Sequence, residues 1–229
     1  MNRRRIEQFL KTLAAELDGP ARVYLTGAAA AALLGRVRPS LDIDFGIEIG
    51  DSDPASWRAV QEAVNRASKL SGIAASAAQD IDRWGMISLL DYKKTARRHG
   101  RFGRLEVRVL HPLHWSIGKL TRFLDVDIDD VAQVFRRQAI KAPAAAKLWG
   151  RALRASPPST AQFQFRRQVE SFFLTRGRAI WGSRFDSQAC IRLFYRAAEI
   201  PLPPTSTSLR PRDRTDGRKT RVRRARRIH

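Results

Sequence analysis

The stretch Leu41-Asp42-Ile43-Asp44-Phe45-Gly46-Ile47-Glu48-Ile49 constrains this chain more than any other. Leu41, Ile43, Phe45 and Ile47 fall on one side of a two-residue repeat, and Asp42, Asp44, Gly46 and Glu48 on the other. That period belongs to a β-strand with one buried and one polar face. Around it the pattern alternates between helix and strand. Ile6, Phe9, Leu10, Leu13 and Leu17 share one helical face over Arg4–Leu17, and Gly19-Pro20 stops that helix. Arg22–Thr26 reads as a short buried strand, turned at Gly27 into the Ala-rich helix Ala28–Leu34, which Gly35 ends. Ala55–Leu70 is a further helix. Met86–Leu90 and Arg104–Leu110 have strand character, the latter with Leu105, Val107 and Val109 inward, and His114–Leu124 and Asp129–Ala139 are helical. The expected fold is α/β (α+β): a mixed sheet with flanking helices that cover one face.

The 229 residues suffice for a sizeable core without disulfides, and the single cysteine, Cys190, excludes a disulfide scaffold and a Cys-rich zinc module. Residues 1–141 carry the α/β pattern. Residues 142–204 read as a helical C-terminal segment, with helices over Ala144–Leu153, Ala161–Thr175 and Ser187–Ala198 and a loop at Ala155–Thr160. Residues 205–229 are expected to be a disordered Arg-rich tail, because they hold almost no large apolar side chains.

The net charge is +21, and that tail contributes ten of the 43 Lys and Arg residues against two of the 22 Asp and Glu. A basic excess of this size suits a polyanionic partner such as RNA. No apolar run is long enough to span a bilayer, and polar residues interrupt the region after the basic Met1–Arg5 start. A cytoplasmic protein with no membrane association is the expectation.

Asp42 and Asp44 project from the same side of one strand, roughly 7 Å apart along it. Two carboxylates so close repel, and a hard divalent cation relieves the repulsion. Paired acids of this kind serve metal-assisted phosphoryl transfer. The other reading is two solvated acids on the polar face of an edge strand. The context favours the first: Gly27 marks a strand-to-helix turn whose backbone N–H groups can hold a triphosphate.

Thr26-Gly27-Ala28 followed by Arg38-Pro39-Ser40-Leu41-Asp42-Ile43-Asp44 resembles the polymerase-β-like nucleotidyltransferases, whose motif is a Gly-Gly or Gly-Ser turn, a short helix and then R-x-[ST]-x-D-[IVL]-D on a strand. Ala28 departs from it, losing a hydroxyl but keeping the backbone N–H. The resemblance implies a Mg²⁺ (or Mn²⁺) site at Asp42 and Asp44, an NTP substrate, and phosphate contacts from Gly27, Ala28, Arg38 and Ser40. It also implies a third carboxylate on a neighbouring strand. Glu106 is the candidate, since it lies opposite the apolar face of its strand, and Asp91 is the reserve. The alternative for Glu106 is a surface ion pair with Arg104 or Arg108.

Ser116–Val131 is similar to the K-L-x-R…D-x-x-D stretch of the AbiEii-type branch and related bacterial nucleotidyltransferases. Lys119 and Arg122 share a helix face. The similarity implies that Lys119 meets the nucleotide phosphates, with Arg122 beside it and Asp127 and Asp130 orienting the lysine. The alternative is helix capping plus a surface ion-pair network. The two similarities together span about residues 22–135.

The reading is therefore a Mg²⁺-dependent enzyme that transfers NMP from an NTP to an RNA acceptor such as tRNA. The AbiEii-type similarity further implies the toxin of a toxin–antitoxin or phage-defence pair, with a cognate antitoxin as partner. Two alternatives stand beside it: a catalytically degenerate scaffold that binds nucleic acid, and a protein-nucleotidylating antitoxin. His111 and His114 read as a turn before a helix, and the five tryptophans as core residues.

Overall fold

A computed structural model describes residues 1–35, 41–50 and 53–202. Arg38, Ser40 and the Arg-rich tail lie outside the described residues. Asn2 caps α1 (Arg3–Glu16) by accepting from the Arg5 N–H. Then follow β1 (Ala21–Leu25), α2 (Gly27–Leu33), β2 (Asp42–Ile49), α3 (Pro54–Ser71) and β3 (Ala74–Ala78). A short 3-10 turn at Ile81–Trp84 and the one-turn α4 (Tyr92–Thr95) precede the hairpin of β4 (Arg97–Phe102) and β5 (Leu105–Val109). Five helices complete the described chain: α5 (Pro112–Arg122), α6 (Asp125–Arg137), α7 (Ala142–Ala155), α8 (Thr160–Trp181) and α9 (Ser187–Ala198).

The fold is mixed α/β. The five strands run in the order β3-β2-β1-β5-β4. β1 pairs antiparallel with β2 and parallel with β5; β2 pairs parallel with β3, and β4 antiparallel with β5. Val23, Leu25, Ile43, Phe45, Leu105 and Val107 are fully or almost fully buried on the apolar face. α1 and α3 cover that face, with the Phe9 ring 6.1 Å from Phe45. The opposite face carries Arg22, Tyr24, Asp44, Glu48, Glu106 and Arg108, as strand alternation and register require.

Met86–Leu90 is not a strand. Side chains anchor this segment instead: Asp82 accepts from Leu89 N–H, Ser156 Oγ accepts from Ser88 N–H (2.8 Å), and Leu90 and Asp91 adopt positive φ. Ile87 and Leu89 are buried within this loop, Ile87 to 1% exposure, while Met86 stays exposed. Two strands were not legible in the sequence. β3 is Ala-Ala-Ser-Ala-Ala, a composition that suits helix, and parallel pairing to β2 overrides it. β4 is Arg-Arg-His-Gly-Arg-Phe, which shows no apolar alternation because it is a charged edge.

The C-terminal helices are held by an aromatic cluster. Trp149 stacks on Phe135 at 5.8 Å and meets Phe172 and Phe173 at 5.6 and 5.4 Å. Its indole N–H donates to Ser116 Oγ at 3.0 Å, which ties α7 to α5. One continuous core therefore runs across residue 141, from Ile6 to Ala198. Among the described residues no helix is long and apolar enough to cross a membrane.

Candidate functional site

β1 and β2 together build the centre of the site. Thr26, one residue past β1, donates its N–H to Asp44 O at 2.9 Å, so the ladder extends to the level of the acid. The chain then turns at Gly27 with φ +56°, a conformation that residues with a Cβ rarely adopt. A Cβ on Gly27 would collide with Asp44 Oδ2. The glycine is thus required both by the turn and by the acid packed on it. The Gly27 carbonyl accepts from Trp115 Nε1 at 2.8 Å, which fixes α5 over the turn.

Asp44 is half-buried and Asp42 exposed. Burial raises the Asp44 carboxyl above its ordinary value, and the negative charge of Asp42 adds to the rise. Arg122 and Lys119 act in the opposite direction, which places their positive charge within electrostatic reach of Asp44.

The α5–α6 corner supplies those cations. Lys119 Nζ donates to Asp127 Oδ1 at 2.6 Å and Asp130 Oδ2 at 3.1 Å, in a pocket where all three residues are 4% exposed or less. Arg122 grips Asp127 with two bonds of 2.8 and 3.0 Å. Its own side chain remains 62% exposed. The predicted quartet of Lys119, Arg122, Asp127 and Asp130 is thus brought together, with Lys119, Asp127 and Asp130 interior and Arg122 closing the network from the surface. Lys119 also lies 5.7 Å from the Trp115 ring.

Asp44, Lys119 and Arg122 border one cleft of about 550 Å³. Thr26, Gly27, Asp44 and Ser76 form one wall, Lys119 and Arg122 another, and Ile81, Ile87, Leu89 and Trp115 give it an apolar side. Trp115, Lys119 and Arg122 lie on one helix face at i, i+4 and i+7, a spacing already visible in the sequence.

Glu106 does not belong to this site. Register places it beside Arg22, four residues before Thr26, at roughly 13 Å along the strand. It binds Arg108 at 2.8 Å and Arg22 at 3.1 Å, and these two guanidiniums hold its carboxyl below the usual range. At the level of the Asp44 turn lie Val109, the last residue of β5, and Leu110 after it, which carry no ligand atoms on their side chains. Asp91 is also elsewhere, exposed and paired with Lys94 at 2.8 Å. β3 sets Ser76 opposite Asp44. Among the described residues no group of three or more His, Cys, Asp or Glu side chains is placed to hold a metal.

Two carboxylates remain as the donor set. Hard oxygen ligands, with charge repulsion that a cation would relieve, suit Mg²⁺ or Mn²⁺, and Mg²⁺ commonly takes only one or two protein carboxylates and completes its shell with water and phosphate. His111 and His114 are structural. His111 caps α5 by accepting from Leu113 N–H at 3.2 Å, and burial lowers its pKa to about 4. His114 lies within 3.0 Å of Leu90 O and 3.2 Å of Thr95 Oγ1. Cys190 is buried, and burial raises its thiol.

Comparison with protein-family models, curated proteins and solved structures returned no match.

Proposed function

We propose that this chain is a nucleotidyltransferase that uses Mg²⁺ or Mn²⁺ to move NMP from an NTP to an RNA acceptor. The observation that supports it most is the placement of Asp44 against the Gly27 turn, beside Asp42, in a cleft that Lys119 and Arg122 border. A divalent cation at the two aspartates supplies neutralisation of the triphosphate charge.

The chain's own groups do the remaining work. The Gly27 turn lets phosphate approach the backbone without side-chain obstruction. Lys119 has three donors, of which Asp127 and Asp130 take two. Its position is therefore fixed before substrate arrives, which favours electrostatic stabilisation of the leaving pyrophosphate. Arg122 is exposed enough to reach phosphate from its anchor on Asp127. The Ile81, Ile87 and Leu89 side of the cleft offers an apolar surface to the base. The acceptor hydroxyl gives its proton to solvent and bonds to the α-phosphorus as the bond to pyrophosphate breaks. RNA is the acceptor class because the net charge of +21 favours a polyanion.

The test is label transfer. The protein is incubated with Mg²⁺, each α-labelled nucleoside triphosphate in turn and total RNA, beside Asp42→Ala/Asp44→Ala. Label on RNA that the double variant loses supports the reading. Label on protein identifies a protein acceptor instead.

The position of Glu106 away from the aspartates favours one second reading, a degenerate scaffold that binds nucleic acid without transfer. RNA binding unaffected by Mg²⁺ or by Asp42→Asn, with no transfer, would establish it.

A further inference from the structure

At the end of the sheet away from the Gly27 turn, where the polar face meets the first turn of α3, lies a second cleft, also of about 550 Å³. The edge-to-face contact of Tyr24 and Tyr92, 5.5 Å between ring centroids, stands between the two. Arg22, Lys93, Arg101, Arg104, Trp57 and Gln79 line it. Two carboxylates, Glu48 and Glu106, lie among these cations, but both are already engaged. Glu48 binds Lys93 at 2.6 Å and accepts from Tyr24 Oη at 2.8 Å, while Glu106 is held by Arg22 and Arg108.

Arg101 and Arg104 differ from these paired cations. Both are exposed, and neither forms an ion pair among the described residues. Each donates only to a backbone carbonyl, Arg101 to Gly103 O at 3.1 Å and Arg104 to Asp18 O at 3.1 Å. Those acceptors are neutral carbonyls, so the bonds do not neutralise either guanidinium.

The backbone adds to the effect. A register shift between Arg98 and Gly100 pairs Arg98 with Arg108 and Arg101 with Glu106. Residues three apart on a regular strand point to opposite faces, but the extra residue here puts Arg98 and Arg101 on the same one. The bulge thereby lines one edge of the polar face with guanidiniums.

We propose that this second cleft binds the phosphate backbone of single-stranded RNA, with Arg101 and Arg104 as its main phosphate contacts. RNA fits better than an acidic peptide because Trp57 and Gln79 stand beside the cations. An indole face stacks on bases, and an amide can bond their edges. The choice of partner rests on the RNA acceptor proposed above. The test measures binding rather than transfer, so the two readings fail separately.

The full chain is titrated with labelled oligo-uridine over a range of salt concentrations. In Arg101→Gln/Arg104→Gln, binding weakens on the order of tenfold near 0.1 M salt, and the slope of log K against log salt falls by about 1.4, since each phosphate no longer neutralised removes about 0.7. Arg101→Lys/Arg104→Lys keeps the slope. Lys11→Gln/Lys69→Gln removes the same charge from exposed positions on the helices of the opposite layer and leaves the slope unchanged. An unaltered slope in the arginine-to-glutamine variant, or an equal fall in the lysine variant, would overturn the proposal. So would poly-glutamate displacing the probe as well as unlabelled oligo-uridine does. Equal melting temperatures across the variants confirm that folding is not the cause of weaker binding.

Discussion

The carboxylate of Asp44 occupies the space that a side chain on Gly27 would need. Turn and acid are therefore one unit. Gly27→Ala imposes two costs, a left-handed φ on an L-residue and a collision with Asp44 Oδ2. The first alone costs roughly 1–2 kcal/mol. The variant should melt lower and lose transfer activity at least a hundredfold, because the acid must move. Melting curves and label transfer, run on the same preparation, check both parts.

Asp44 also carries a pH signature. Its pKa is higher folded than unfolded, so the stability it contributes is full below the unfolded value of about 3.8. That contribution is lost as pH rises through the higher folded value. At neutral pH without metal the ionised acid is thus a burden, and Asp44→Asn should stabilise the protein, by roughly 2–4 °C in Tm for each kcal/mol recovered. Mg²⁺ or Mn²⁺ should raise the Tm of the native chain and leave that of Asp44→Asn unchanged. A native chain indifferent to both cations would remove the support for a metal at this pair.

Lys119 and Arg122 separate structure from chemistry. Lys119→Met leaves Asp127 and Asp130 facing a neutral side chain in the interior, which should cost about 3–5 kcal/mol. The midpoint of urea unfolding measures this. Arg122 is exposed, so Arg122→Gln should cost at most about 1 kcal/mol. Its effect should appear in transfer instead, as a loss of at least tenfold in kcat/KM.

Glu106→Gln is the complementary case. Glu106 serves Arg22 and Arg108, away from the aspartate pair. Transfer at saturating RNA, which removes any effect of the second cleft on binding, should stay within about twofold of the native chain, whereas Asp42→Asn should abolish it. Equal losses in the two variants would return Glu106 to the active centre.

The parts of this architecture set by local pattern were legible in the sequence. The alternation around Asp42 and Asp44, the helix periodicity of α1 and α3, and the Lys119–Asp130 spacing each depend on neighbours in the chain. The illegible parts depend on register. Glu106 does face the polar side, as its strand pattern requires, but only the parallel pairing of β1 with β5 decides how far along that side it lies. The strand Ala74–Ala78 has no pattern of its own and exists because β2 offers an edge to pair with. Met86–Leu90 has the apolar content of a strand, but Asp82 and Ser156 bond its backbone N–H groups first.

Register also identifies where a third carboxylate would have to be. Ser76 is exposed and lies opposite Asp44 on the adjoining parallel strand, and it borders the same cleft. An acid there would stand about 5 Å from the Asp44 backbone, across one strand spacing. Without a cation, Ser76→Asp adds a second negative neighbour to Asp44, so its pKa should rise further and the Tm at neutral pH should fall. With Mn²⁺ the sign reverses: three carboxylates bind a hard cation more tightly than two, on the order of tenfold here, and the Tm should exceed that of the native chain under the same conditions. Ser76→Asn supplies the size without the charge and should show neither effect. Isothermal titration with Mn²⁺, paired with melting curves in the presence and absence of the ion, measures both signs. A variant whose Tm falls equally with and without Mn²⁺ would mean that the Asp42–Asp44 pair does not collect a cation.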